Sequence, residues 1–155
     1  MIDSTMEAGF PDKLFRGIPN NSYKNGILLQ EAFNLDPQRE DGYCEISITW
    51  DDESESLDVI MSQINERTQD YQFRDGIAEI CRKDLDSGMK PQMMLKNLWY
   101  ERRPTSNNKY HGNILVKGNL DRGMKMLIKS QLAFLANQCI HPNKYLEKAV
   151  HSNTV

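Results

Sequence analysis

The sequence contains no apolar run near the roughly 20 residues that a bilayer-spanning helix needs, so no membrane-spanning helix is expected. Residues 1–10 carry Asp3 and Glu7 and no apolar stretch, so no signal peptide is expected either. The three cysteines, Cys44, Cys81 and Cys139, are too few and too irregularly spaced for a disulfide framework, which points to a reducing, cytoplasmic setting. There is no internal repeat, no low-complexity tract and no Pro/Gly-rich linker. Glycine-rich phosphate loops, a Gly-x-Gly-x-x-Gly turn, a Cys-x-x-Cys pair and a His-Glu-x-x-His helix are all missing. The common nucleotide, redox and zinc-protease chemistries therefore have no sequence support, and no cofactor or metal is expected.

What is present is enough for one core. The chain has 155 residues and is 39% hydrophobic, which fits a single domain over residues 13–140. Residues 1–12 read as a frayed start and 141–155 as a tail. Cys44, Ile46, Ile48 and Trp50 alternate with Glu45, Ser47 and Thr49, the period of a strand with one buried face. Residues 14–18 and 76–81 read as further strands. Residues 94–103 and 109–117 read as a hairpin joined by Pro104, Thr105, Ser106, Asn107 and Asn108. Residues 27–35 are ambiguous between strand and helix. A turn is expected at Asp86-Ser87-Gly88.

Two helices stand out. Leu57, Ile60, Met61 and Ile64 fall at helical spacing, with Asp52 or Ser54 as cap. Leu120, Met124, Leu127, Ile128, Leu132, Leu135 and Cys139 trace a second stripe, with Asn119 as cap and Asp121 in the first turn. Helices are too few to cover both faces of a parallel sheet. The expected fold is α+β, a mostly antiparallel sheet of about five strands with the two helices packed on one face.

Charge is divided along the chain. Residues 36–58 hold nine acidic groups against Arg39, whereas residues 82–129 hold eleven basic groups against four acidic ones. One account is two solvated surfaces. The sharper account places the two signs on separate sides. Asp51, Asp52, Glu53 and Glu55 then form an acidic face that docks a basic protein partner, because complementary charge speeds and selects encounter. The hairpin interleaves Trp99, Tyr100, Arg102, Arg103, Lys109, Tyr110 and His111, a pattern able to stack bases and meet phosphates, so nucleic acid is a third candidate partner.

Single residues carry weaker signals. Asp51, Asp52, Glu53 and Glu55 offer hard oxygen ligands, but helix capping accounts for them better. Cys139 and His141 make half of a metal site, with no partner pair at ligand spacing. Glu79 lacks the lysine two residues later that a nuclease strand would show; Cys81 stands there. His111 suits acid–base work or a structural hydrogen bond, and Gly112 implies a bulge or a close backbone approach. Trp50 is placed with Arg16, Ser47 and His111 as a possible cleft.

Leu14-Phe15-Arg16-Gly17-Ile18 resembles the arginine strand of ADP-ribosyltransferase-like proteins, and Ser47-Ile48-Thr49 is similar to that family's second-strand serine motif. The resemblance implies an enzyme holding a nicotinamide dinucleotide through Arg16 and Ser47. The family's Glu-x-Glu is absent, leaving Glu79 and Glu101 as stand-ins. More broadly, residues 14–19, Glu31-Ala32-Phe33, residues 45–50 and residues 109–118 resemble small uncharacterised bacterial proteins with a Leu-aromatic-Arg-x-Ile-Pro opening and a late His-small-x-Ile segment. That resemblance implies a bacterial cytoplasmic context. The charge division and the lack of a catalytic motif together favour a non-enzymatic interaction protein, a partner or accessory of a toxin–antitoxin, immunity or phage-defence module.

Overall fold

The computed structural model describes residues 10–35, 38–51, 56–89, 98–117 and 119–145. Its strands are β1 (Lys13–Gly17), β2 (Tyr23–Lys24), β3 (Ile27–Leu28), β4 (Tyr43–Asp51), β5 (Ile64–Asn65), β6 (Asp70–Tyr71), β7 (Ile77–Cys81), β8 (Leu98–Arg102), β9 (His111–Lys117) and β10 (Ile140–His141). The helices are α1 (Ser56–Met61), α2 (Arg82–Asp84), which runs into a wider turn over Leu85–Met89, and α3 (Arg122–Asn137). Six strands form the main sheet in the order β10-β7-β1-β4-β9-β8, antiparallel throughout. The α+β class and the antiparallel sheet are therefore as expected, with β10 as a sixth strand.

Alternation decides which side each residue faces. Leu14, Ile46, Ile48, Ala78, Ile80 and Ile114 point to the side covered by α3, where they pack with Ile128, Leu132 and Ala136. Phe15 and Ile77 point the other way and pack with Ile60 and Met61 of α1. The expectation that both helices share one face is thus corrected: β1 and β7 place buried apolar side chains on both sides, Leu14 and Ile80 on one and Phe15 and Ile77 on the other, so each face of the sheet needs its own cover. Each fully buried aliphatic side chain in these cores contributes about 2 kcal/mol.

Local chemistry explains several smaller departures. The helix at 57–64 stops at Met61, and Ile64 is 51% exposed in β5. The cap of α3 is Asp121 rather than Asn119; its carboxylate accepts from the Met124 amide at 2.8 Å. Leu127 lies off the buried stripe of α3 and is 43% exposed. Asp86-Ser87-Gly88 lies within the wide helical turn. Residues 27–35 resolve into β3 and a short 3-10 turn over Gln30–Ala32. Phe10, assigned to the frayed start, is buried and stacks on Tyr100 at 5.7 Å, and Arg82 binds the Phe10 carbonyl. The start of the assigned tail is anchored too: His141 lies in β10, and Asn143 donates to the carbonyls of Met61 and Phe73. Among the described residues no helix is long and apolar enough to cross a membrane.

Candidate functional site

Register places four side chains in one row across the sheet face that α1 partly covers. Glu79 pairs with Phe15, Phe15 with Thr49, and Thr49 with His111. Above the middle of this row lies a cleft of about 310 Å³. Phe15, Ile60 and Phe73 give it apolar walls; Ser47, Thr49, Asn108 and His111 give it polar ones.

The hairpin loop sets the polar end. Asn108 is buried and acts as a clasp: its amide nitrogen donates to Thr49 Oγ1 at 2.9 Å, and its carbonyl oxygen accepts from the Tyr110 amide at 3.0 Å. Thr105 Oγ1 accepts from the Asn108 amide at 3.0 Å, closing the turn. His111 Nδ1 lies 2.8 Å from the Arg103 carbonyl oxygen. Gly112 has the close backbone approach expected of it, because a Cβ there would sit 2.5 Å from the Glu101 carbonyl oxygen.

Of the residues anticipated from sequence, Arg16, Ser47 and His111 line this cleft, but the Arg16 fork is spent on carbonyls. Arg16 leaves β1 on the α3 side. It donates from Nε and Nη2 to the Ala32 carbonyl, at 3.2 and 2.7 Å, and from Nη1 to the Ser47 carbonyl at 2.9 Å. Burial lowers its pKa, and these carbonyls rather than a carboxylate receive its fork. Trp50 also faces α3 and meets Tyr110 edge-on at 5.0 Å, with the Arg102 guanidinium 4.4 Å above its ring. Arg102, Tyr110 and Trp50 therefore form one packed cluster. The four-residue cleft of Arg16, Ser47, Trp50 and His111 is not assembled, because Trp50 projects through the opposite side of the sheet and the Arg16 fork is already occupied.

Arg103 pairs with Glu101, which is fully buried. Trp99, on the edge strand β8, is half-buried. The hairpin thus spends most of its aromatics and arginines internally. Asp52, Glu53 and Glu55 lie outside the described residues, and Asp51 ends β4 opposite Lys13. The two charged stretches touch through their minority charges. Arg39 from the acidic half binds Glu101 from the basic half at 2.5 Å, as well as Asp41 and Glu45. Lys144 binds Asp58. The basic residues of α3 are different: among the described residues Arg122, Lys125 and Lys129 have no acidic partner. They line a groove of about 300 Å³ with Gln30, Asn34 and Met126.

At the far end of the row, Glu79 meets Cys139 and His141. His141 Nε2 lies 2.9 Å from Glu79 Oε1 and 3.5 Å from Cys139 Sγ. Burial first, and then the Glu79 charge, push the Cys139 thiol up, against a smaller pull from Lys13. Sequence reasoning linked Cys139 with His141 but missed Glu79, whose place is set only by the pairing of β10 with β7. It also missed Asn108 and Thr49; the Asn-rich loop was the available signal.

Comparison with protein-family models, curated proteins and solved structures finds no match to this chain.

Proposed function

We propose that this protein is a non-enzymatic interaction module that binds an acidic partner protein along the outer face of α3. The observation that carries this reading is, among the described residues, three cations without counter-ions, Arg122, Lys125 and Lys129, with Met126 (48% exposed) beside them, on a helix that also exposes Leu127 at 43% and Phe134 at 62% on an adjoining face. At positions i, i+3 and i+7 the cations make one stripe. A phenyl ring in water on the same helix is a poor surface for a solitary protein and a suitable anchor for a partner. The reading keeps the expected role, an accessory of a toxin–antitoxin, immunity or phage-defence module. It moves the docking surface from residues 51–55 to α3 and reverses the charge of the partner.

The test compares native-host capture by the wild-type chain, by Lys125→Glu/Lys129→Glu, by Phe134→Ser and by the remote control Lys24→Glu. One dominant acidic protein should be retained by the wild type and the control, and lost with both α3 variants. It should also weaken as salt rises. Retention of the same protein by the charge-reversed chain overturns the reading. Recovery of nuclease-sensitive material alone would favour the nucleic-acid alternative.

A second reading, a small polar ligand in the cleft, is favoured by one observation: His111 lines the cleft, and with Nδ1 engaged by the Arg103 carbonyl its Nε2 is left as an acceptor. Titration with a nicotinamide dinucleotide tests the ADP-ribosyltransferase-like form of it. Heat together with resonance shifts at Ser47, Thr49 and His111 supports it, and their joint absence dismisses it.

A further inference from the structure

We propose that Glu79, Cys139 and His141 form a zinc site with three protein ligands and one open position. The three donor atoms all lie within 4.8 Å of one another. In a tetrahedral zinc site, a nitrogen at about 2.05 Å and a sulfur at about 2.3 Å are roughly 3.5 Å apart. The observed Nε2–Sγ separation is 3.5 Å. A nitrogen and an oxygen ligand would stand about 3.3 Å apart. Glu79 Oε1, now 2.9 Å from Nε2, needs only a small withdrawal, within the reach of one side-chain torsion.

The donor set selects the ion. A thiolate, an imidazole and a carboxylate suit zinc; calcium and magnesium prefer oxygen alone. One thiolate and one carboxylate also neutralise a divalent cation. The frame is already built. The Glu79 amide donates to the Cys139 carbonyl at 2.8 Å, so two of the ligands are joined through their backbones. Ile140 and His141 pair with Ala78 and Ile77, which fixes the third. Ligands held on paired strands need little reorganisation to receive an ion. The Glu79 and His141 side chains keep 23% and 33% exposure, which leaves access for the ion and for a water as fourth ligand.

Metal binding here replaces the thiol proton by zinc, a sulfur–metal bond forming as one proton passes to solvent. It ties the end of α3 and β10 to β7, so it should also raise the unfolding temperature.

The experiment titrates the full chain with cobalt(II) as a spectroscopic stand-in and then displaces it with zinc. One equivalent of cobalt should give a thiolate-to-metal charge-transfer band and the strong visible bands of four-coordinate cobalt. Cobalt binding should release about one proton near neutral pH, and zinc should abolish both bands with no second release. Cys139→Ser should remove the charge-transfer band, and Glu79→Gln, which keeps the side-chain shape, should weaken cobalt at least tenfold, the scale at which even an outer partner matters. Cys81→Ser should leave the spectrum intact. A wild-type chain that gives no thiolate band overturns the site, as does a band that survives Cys139→Ser. Circular dichroism confirms that each variant is folded, and Glu79→Gln serves as the deciding variant if Cys139→Ser is not.

Discussion

His111 Nδ1 lies 2.8 Å from the carbonyl oxygen of Arg103. A carbonyl oxygen only accepts, so the neutral ring must carry its proton on Nδ1. Nitrogen-resolved NMR of the neutral ring should find the Nδ1–H tautomer. A dominant Nε2–H tautomer would break the hydrogen bond that orients His111 and remove the cleft's only imidazole acceptor among the lining residues.

Glu101 is fully buried and leans on Arg39 at 2.5 Å and on Arg103 at 3.3 Å. Burial pulls the Arg39 pKa down, but its hydrogen bonds and the charges of Glu101 and Asp41 outweigh that and raise it, so Arg39 stays charged. Removing Arg39 leaves a buried carboxylate with only the long Arg103 contact and the Asn113 amide. Arg39→Ala should cost about 3 kcal/mol in denaturant unfolding, and Glu101→Gln in the same chain should recover part of it. A cost under about 1 kcal/mol would mean the pair behaves as a surface pair.

Tyr100 donates its hydroxyl to Asp86 at 2.8 Å, and burial first, then Asp86, raise its pKa. The folded state therefore holds the tyrosyl proton more tightly than the unfolded chain does. Its contribution to stability is complete below about pH 10, the unfolded value, and is lost as pH climbs above it. Stability measured across that alkaline range should fall for the wild type and fall less for Tyr100→Phe. Loss of the hydrogen bond in that variant should cost about 1 kcal/mol at neutral pH.

Gly76 holds φ +102°, and a Cβ there would come 2.2 Å from the His141 carbonyl oxygen. Gly76→Ala must strain the backbone and push β10 outward, at a cost of about 2 kcal/mol. The Glu79 amide, bonded to Cys139, should lose hydrogen-exchange protection in this variant before the amides of β4 and β9 do.

The sequence made the strand at 43–51 readable because its apolar period of two is unbroken from Cys44 to Trp50. The hairpin was readable from its loop chemistry, and α3 from its 3.6-residue stripe. The two-faced burial of the sheet was not readable, since adjacent apolar residues such as Leu14 and Phe15 look alike until a second layer is seen to cover each. For the same reason the motif around Arg16 misled: which way an arginine leaves a strand depends on the register of its neighbours. Half of the cleft, Ser47 and His111, was legible as chemistry. The row joining Glu79, Phe15, Thr49 and His111 was not, because it is made by four strands remote from one another in the chain.

The strand order β10-β7-β1-β4-β9-β8 means that the outer neighbour of β7 is the last of the six to be synthesised. From the moment Cys81 leaves the ribosome until His141 has followed it, the outer flank of β7 has no partner strand. Arg82 and Lys83 close the end of that flank, and paired positive charges at such a place discourage pairing with a neighbouring chain. In the folded chain Arg82 is held by Asp12 and Asp86.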